Sequence, residues 1–245
     1  MRRLTLADVA ARFDLPASAV ASLEAILVLQ AEDPTASTTV RAPADAVERH
    51  VADSLVALEL PTVRAARRIA DLGSGAGWPG LALAAALPQA QVWLVESASR
   101  HCRYLAKAVH AGGLGNVSVV HARAEGWTEG LGAHDLVTAR ALAALPVLCE
   151  YAAPLLADAG ALVAWKAAVS QEEAAAGAAA AAEVGLAPEA VVPVAPYRGA
   201  ERRTLHVFRK IAPTPSRFPR RAGMAVKRPI GARRGANPPP PRLAS

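Results

Sequence analysis

From Arg67 onward the chain alternates short apolar runs, bounded by turn residues, with longer stretches patterned for helix. The runs 67–72 (RRIADL), 91–96 (QVWLVE), 117–121 (VSVVH), 134–139 (HDLVTA) and 160–166 (GALVAWK) read as strands, and 79–87, 99–112, 143–157 and 170–184 read as the helices between them. Strands that are apolar almost throughout, not only at alternate positions, are buried on both faces, which calls for a parallel sheet with helices packed on either side. Residues 190–195 and 203–210 (RTLHVFRK) add a closing antiparallel pair. The expected fold class is therefore α/β, a doubly wound, mostly parallel, seven-stranded Rossmann-like sheet. Ligands of such sheets bind beyond the carboxyl ends of the strands, here Asp71–Gly73, Glu96, His121–Glu125, Arg140 and Lys166.

Residues 1–60 precede this rhythm and read as a helical extension. LPASAVASLEAILVLQ sets Val20, Leu23, Leu27 and Ala31 on one helical face, and EDPTASTTVRAP then breaks the pattern. ADAVERHVADSLVALEL gives a third helix to Leu60, with Val47, Val51, Leu55 and Leu58 on its buried stripe and His50, Asp53 and Ser54 around its middle. Residues 61–211 hold the sheet, and 212–245, rich in Pro, Gly and Arg, form a basic tail expected to be disordered when unbound. Charge follows this division. Residues 1–201 carry 15 Lys+Arg against 21 Asp+Glu, whereas 202–245 carry 12 Lys+Arg and no acid. Such segregation marks an interaction arm for a polyanion. No charge-free apolar run approaches the roughly 20 residues of a membrane span, and the N-terminus lacks a signal-like apolar core. The two cysteines and six histidines show no metal-ligand spacing. A cytoplasmic protein without membrane or metal is the expectation.

The most informative stretch is IADLGSGAGWPGLALAAALPQAQVWLVES (69–97). Gly75-Ala-Gly77-Trp-Pro-Gly80 is a GxGxxG with Glu96 about 20 residues on, the spacing of a dinucleotide site. Spacing alone does not reject NAD. Three residues favour a cationic ligand instead. Asp71 ends the first strand, where it would repel a pyrophosphate; Pro79 removes an amide donor from the helix start; Glu125 adds a further acid. S-adenosylmethionine carries a sulfonium and an ammonium but no phosphate. In that reading Gly73, Gly75 and Gly77 admit the methionine portion past missing Cβ atoms, Glu96 takes the ribose diol, and Ala124–Glu125 edge the adenine.

With ERHVADSL (48–55), IADLGSGAGWPGLALA (69–84), LVESASRHCRYL (94–105), GLGNVSVVHARAE (113–125), DLVTARALAAL (135–145) and FPRRAGMAVKRPI (218–230), the chain resembles the bacterial ribosomal small-subunit RNA methyltransferases, the glucose-inhibited division protein B family. The resemblance runs from about Arg41 to Ile230. It implies a class I methyltransferase fold, S-adenosylmethionine as donor, and N7 of one guanine in 16S rRNA, free or in the small subunit, as acceptor. It also implies that Gly73 and Trp78 line the donor pocket, that Ala124 and Glu125 contact the adenosine, and that Arg140 is the functional arginine near the methyl group. Trp78 stands where phenylalanine or leucine is usual, and TASTTVRAP replaces the family's early Trp and Asn-Leu-Thr segment.

Guanine N7 has an in-plane lone pair and no proton, so the reaction requires alignment and no general base. Arg140 is expected to donate to guanine O6 or to orient the base with its guanidinium plane. His50, Asp53 and Lys166 are substrate-side candidates. In the tail, Arg217, Arg220, Arg221, Lys227, Arg228, Arg233 and Arg234 are candidates for phosphate contacts, with Phe218 as a stacking face. A monomer is expected. The competing readings are a methylase of another substrate, an NAD-dependent oxidoreductase and a non-catalytic RNA-binding protein.

Overall fold

The computed structural model describes residues 3–231. Seven strands form one sheet in the order β3-β2-β1-β4-β5-β7-β6. They are β1 (Arg68–Leu72), β2 (Gln91–Glu96), β3 (Val117–His121), β4 (His134–Arg140), β5 (Leu156–Lys166), β6 (Leu186–Val194) and β7 (Arg203–Lys210). The first five run parallel, and β7 lies antiparallel between β5 and β6. The strand order reverses between β1 and β4, and such a reversal opens a crevice at the carboxyl edge. Because β7 runs the other way, its beginning lies at that same edge, with Thr204 paired to Lys166.

Side chains of a strand alternate between faces, and the two hydrophobic cores show it. Ile69, Ala161, Val163 and Trp165 enter one core with the N-terminal helices, whereas Ala70, Leu72, Leu162 and Ala164 enter the other. The first face is covered by α1 (Leu6–Phe13), α2 (Ala17–Glu32), α6 (Gly80–Ala86) and α7 (Ser99–Ala111), the second by α8 (Leu145–Ala152) and α9 (Gln171–Val184). A reciprocal Thr5–Asp8 capping box starts α1, and the Ser170 hydroxyl caps α9.

Four departures from the expected elements have physical reasons. The buried face of α2 is Leu23, Ile26, Leu27 and Gln30, with Val20 and Ala31 only half-buried. The face turns because the Gln30 amide is needed inside, where it accepts from Trp78 Nε1 at 2.7 Å and donates to the Val40 carbonyl at 3.0 Å. The expected third helix is a composite of α3 (Pro43–Ala46), a π-helical Val47–Ala52, α4 (Asp53–Leu55) and a 3-10 turn Val56–Glu59, followed by α5 (Pro61–Ala65). Helix α8 stops at Ala152 and β5 begins at Leu156, earlier than the apolar run suggests, because Pro154 cannot continue the helix.

The fourth departure concerns the tail. Beyond β7 the only regular element among the described residues is α10 (Met224–Lys227), as the Pro/Arg-rich composition implies. Yet 212–231 are packed on the body. Phe218 and Ala225 are buried in the second core, and Arg220 forms a bidentate pair with Glu150. Phe218 is therefore a core residue under the Arg217 guanidinium and offers no stacking face to RNA. Arg233 and Arg234 lie outside the described residues.

Candidate active site

A cavity of about 710 Å³ opens at the carboxyl ends of β1, β2, β4 and β5 and the start of β7. Strand order sets its charges. Glu96 ends β2 on one side of the cavity, and Arg140, Lys166 and Arg203 stand at the same edge of β4, β5 and β7 on the other.

The glycine loop makes the floor. Gly73 and Gly75 have φ of +64° and +55°, in the left-handed region that β-carbon-bearing residues rarely adopt. A Cβ on Gly73 would strike Leu142 Cδ1 at 2.5 Å, whereas one on Gly75 would make only an ordinary contact with the Gly73 carbonyl oxygen at 3.8 Å. Gly77 faces away from the cavity, and a Cβ there would meet Leu81 at 2.2 Å, so its role is packing. Five amide donors of this loop are already engaged. Gly73 and Ser74 donate to the Val95 carbonyl, Gly75 to Glu96 Oε2 at 3.0 Å, Gly77 to the Ser74 carbonyl and Gly80 to Asp71 Oδ2. A pyrophosphate seeking those N–H groups would have to displace partners that are part of the turn. The arrangement suits a donor that needs an open, electronegative floor and no phosphate clamp, and S-adenosylmethionine fits it.

The two acids of this region behave oppositely. Asp71 is 1% exposed and does not line the cavity; it accepts from Thr138 Oγ1 at 2.8 Å and from Gly80 N. Burial raises its carboxyl pKa to about 6. The expectation that Asp71 faces the ligand is thus corrected: it braces the loop from below. Glu96 does line the cavity. Burial pushes its pKa up, but the N–H groups of Ala98 and Gly75 and nearby His101 outweigh that, so the carboxyl sits below its ordinary range and is ionised. Ala124 and Glu125 edge an adjoining recess of about 100 Å³ that shares Gly73, Ser97 and Leu142 with the main cavity. Glu125 Oε1 accepts from Gly223 N at 2.8 Å, which ties the C-terminal segment to this recess.

Opposite Glu96, Arg140 is held on three sides. Nη1 donates to Asp53 Oδ2 at 2.7 Å and to the Arg49 carbonyl at 3.0 Å, and Nη2 faces His50 Nδ1 at 3.2 Å. An arginine only donates, so His50 Nδ1 accepts and the ring proton sits on Nε2, which donates to Thr38 Oγ1 at 2.9 Å. Burial, reinforced by the Arg140 charge, lowers the His50 pKa to about 3 and keeps the ring neutral. That ring stacks on Trp78 at 5.6 Å with planes 11° apart. Trp78, 4% exposed, thus joins the glycine loop to the arginine. Ser54 takes no part in the lining; it is buried and donates to the His50 carbonyl. Lys166 reaches the cavity but is paired to Glu173 at 2.6 Å.

Sequence reasoning misses Thr38, Gln30, Leu142, Trp165 and Arg203. Thr38 belongs to the loop that breaks the helical pattern, and Arg41 holds that loop by donating to the carbonyls of Gln30, Asp33 and Ala36. Trp165 Nε1 donates to the Asp53 carbonyl at 2.7 Å. Arg203 carried a usable signal: a final strand running antiparallel begins where its neighbours end.

Comparison with known proteins identifies the family. A family model described as rRNA small subunit methyltransferase G matches residues 25–199. A ribosomal RNA small subunit methyltransferase G from Rubrobacter xylanophilus is 42% identical over 196 residues, 78% of this chain and 75% of that one. Another from Chloroflexus aggregans is 40% identical over 197 residues, 79% of this chain and 82% of that one. Among solved structures, a 16S rRNA (adenine(1408)-N(1))-methyltransferase variant from Catenulisporales acidiphilia superposes with a TM-score of 0.52 at 16% identity, covering 63% of this chain and 89% of that one, a likeness of fold. On the extent of the family match and the identity to these relatives, the chain belongs to the rRNA small subunit methyltransferase G family.

Proposed function

We propose that this cavity is where the enzyme transfers the methyl group of S-adenosylmethionine to N7 of a guanine in 16S rRNA, with Gly73, Gly75, Trp78, Glu96 and the Ala124–Glu125 recess holding the donor and Arg140 orienting the base. The observation that carries this reading is the opposition, across one cavity, of an ionised Glu96 beside the glycine floor and an arginine anchored by three groups. The donor supplies an electrophilic methyl group on a positively charged sulfur.

The chain's own contribution is orientation. Because N7 carries no proton, no side chain has to remove one, and His50, neutral and engaged at both nitrogens, is not placed to act as a base. Arg140 keeps its Nε–H and the second Nη2 hydrogen without a partner among the described residues, which leaves donors for guanine O6 and leaves the attacking lone pair free. Glu96 takes the ribose diol with the lone pairs that Gly75 and Ala98 do not use. The enzyme works as a cytoplasmic monomer on the small subunit or its rRNA. No helix among the described residues is long and apolar enough to cross a membrane.

Incubation with small subunits lacking the mark and a labelled donor, followed by borohydride and aniline scission, tests the reading. It predicts cleavage at one guanine. Arg140→Ala should lower turnover by about a hundredfold or more with donor affinity within about threefold. Loss of donor binding would move Arg140 to the cofactor side, and tight binding of NADH in calorimetry would overturn the donor assignment.

A further inference from the structure

Asp53 is a carboxylate buried between two guanidinium groups. Its Oδ2 accepts from Arg140 at 2.7 Å, while Oδ1 lies 3.2 Å from Arg203 Nε without the alignment of a hydrogen bond. One carboxylate serves two arginines, so the trio carries one uncompensated positive charge. His50 beside it adds none, and Lys166 is balanced by Glu173.

The surplus belongs to Arg203. Its side chain is 36% exposed against 16% for Arg140, and it lines the cavity. Neither of its terminal nitrogens has a hydrogen-bond partner among the described residues. With Nε turned to Asp53, the planar pair of terminal nitrogens is the end left for a ligand, and that fork matches two oxygens of one anionic group. An arginine kept only for stability would be expected to close its hydrogen bonds on the carboxylate beside it. This one does not.

We propose that Arg203 is a substrate-binding residue whose terminal nitrogens take a phosphodiester of the RNA chain next to the methylated base; this rests on the reading of the cavity as an rRNA methylation site. Asp53 then links two tasks, holding Arg140 toward the base through one oxygen and setting Arg203 toward the backbone through the other. A second anion, the carboxylate of the donor, could meet the same fork, and the test separates the two.

Unmethylated small subunits are assayed with the wild type, Arg203→Gln and Arg203→Lys over a range of salt, and donor binding is measured by calorimetry. Arg203→Gln is expected to raise KM for subunits about tenfold and to flatten the salt dependence of log(kcat/KM) by about one phosphate contact, with donor affinity unchanged. Arg203→Lys should recover part of the KM loss. An unchanged KM and salt slope overturns the proposal. So does a tenfold loss of donor affinity, which would assign the fork to the donor's carboxylate, or a fall in kcat and Tm with the slope intact, which would make Arg203 structural. A wild type that methylates no ribosomal RNA would instead defeat the underlying reading.

Discussion

Asp71 and His50 face each other's consequences across the acid range. Asp71 is more easily protonated in the fold than in the open chain, its pKa raised from 3.8 to about 6, so the stability it contributes is present below pH 4 and is lost as pH rises through about 6. His50 is harder to protonate in the fold, lowered from 6.5 to about 3, so its contribution is present above pH 6.5 and is lost as pH falls toward 3. Between pH 6.5 and 4 the two act in opposite directions, by about 3 kcal/mol at full extent for Asp71 and about 5 kcal/mol for His50. Removing one exposes the other. Relative to wild type, Asp71→Asn should lose unfolding free energy more steeply on acidification and His50→Gln less steeply, as measured by denaturant titrations at stepped pH. Parallel pH curves for all three proteins would contradict the assigned burial. Of the residues lining the cavity, Glu96 and Arg140 are legible in sequence because they end strands whose apolar pattern is unmistakable, and Gly73 and Gly75 because they follow such a strand in a glycine-rich turn. Asp71 ends one too, but whether such an acid turns up into the cavity or down under the loop depends on Thr138, a partner 67 residues away.

At the scale of elements, the segment after β7 is held by its buried Phe218 and Ala225, by the Gly223–Glu125 hydrogen bond and by an ion pair on a buried carboxylate. Glu150 is 2% exposed, and both its oxygens accept from Arg220. Arg220→Ala leaves that carboxylate buried without its partner and should cost about 3–5 kcal/mol of stability. The double variant Glu150→Gln, Arg220→Met should recover much of it, and limited proteolysis should find new cuts within 212–231 only in the single variant. A single variant as stable as the wild type would mean the segment is held by Phe218, Ala225 and the Gly223–Glu125 hydrogen bond without help from the ion pair. A composition rich in Pro and Arg cannot announce such a clasp, because the partner acid sits on α8 and the pairing leaves no periodicity. The π-helical turn Val47–Ala52 is hidden for a related reason. It shifts hydrogen bonds by one residue without altering which residue types look apolar, so the sequence reads as one regular helix. What it does is bury His50 and Asp53 together beside Arg140, and π turns of this kind recur at functional sites.

Over the whole molecule, the parallel half of the sheet and the helices around it follow from local pattern, while the completed cavity depends on contacts between distant parts of the chain. Thr38, Trp78 and Arg140 meet around His50, and Arg203 joins Arg140 through Asp53. The antiparallel strand β7 occupies the slot between β5 and β6, although it is the last of the described strands to be made. Domains take shape from the N-terminus during synthesis. A ribosome-bound fragment ending before Arg203 would therefore present β5 and β6 with the strand between them missing, and the cavity rim without Arg203. Completion of the cavity therefore waits for β7, the last of the seven described strands in chain order.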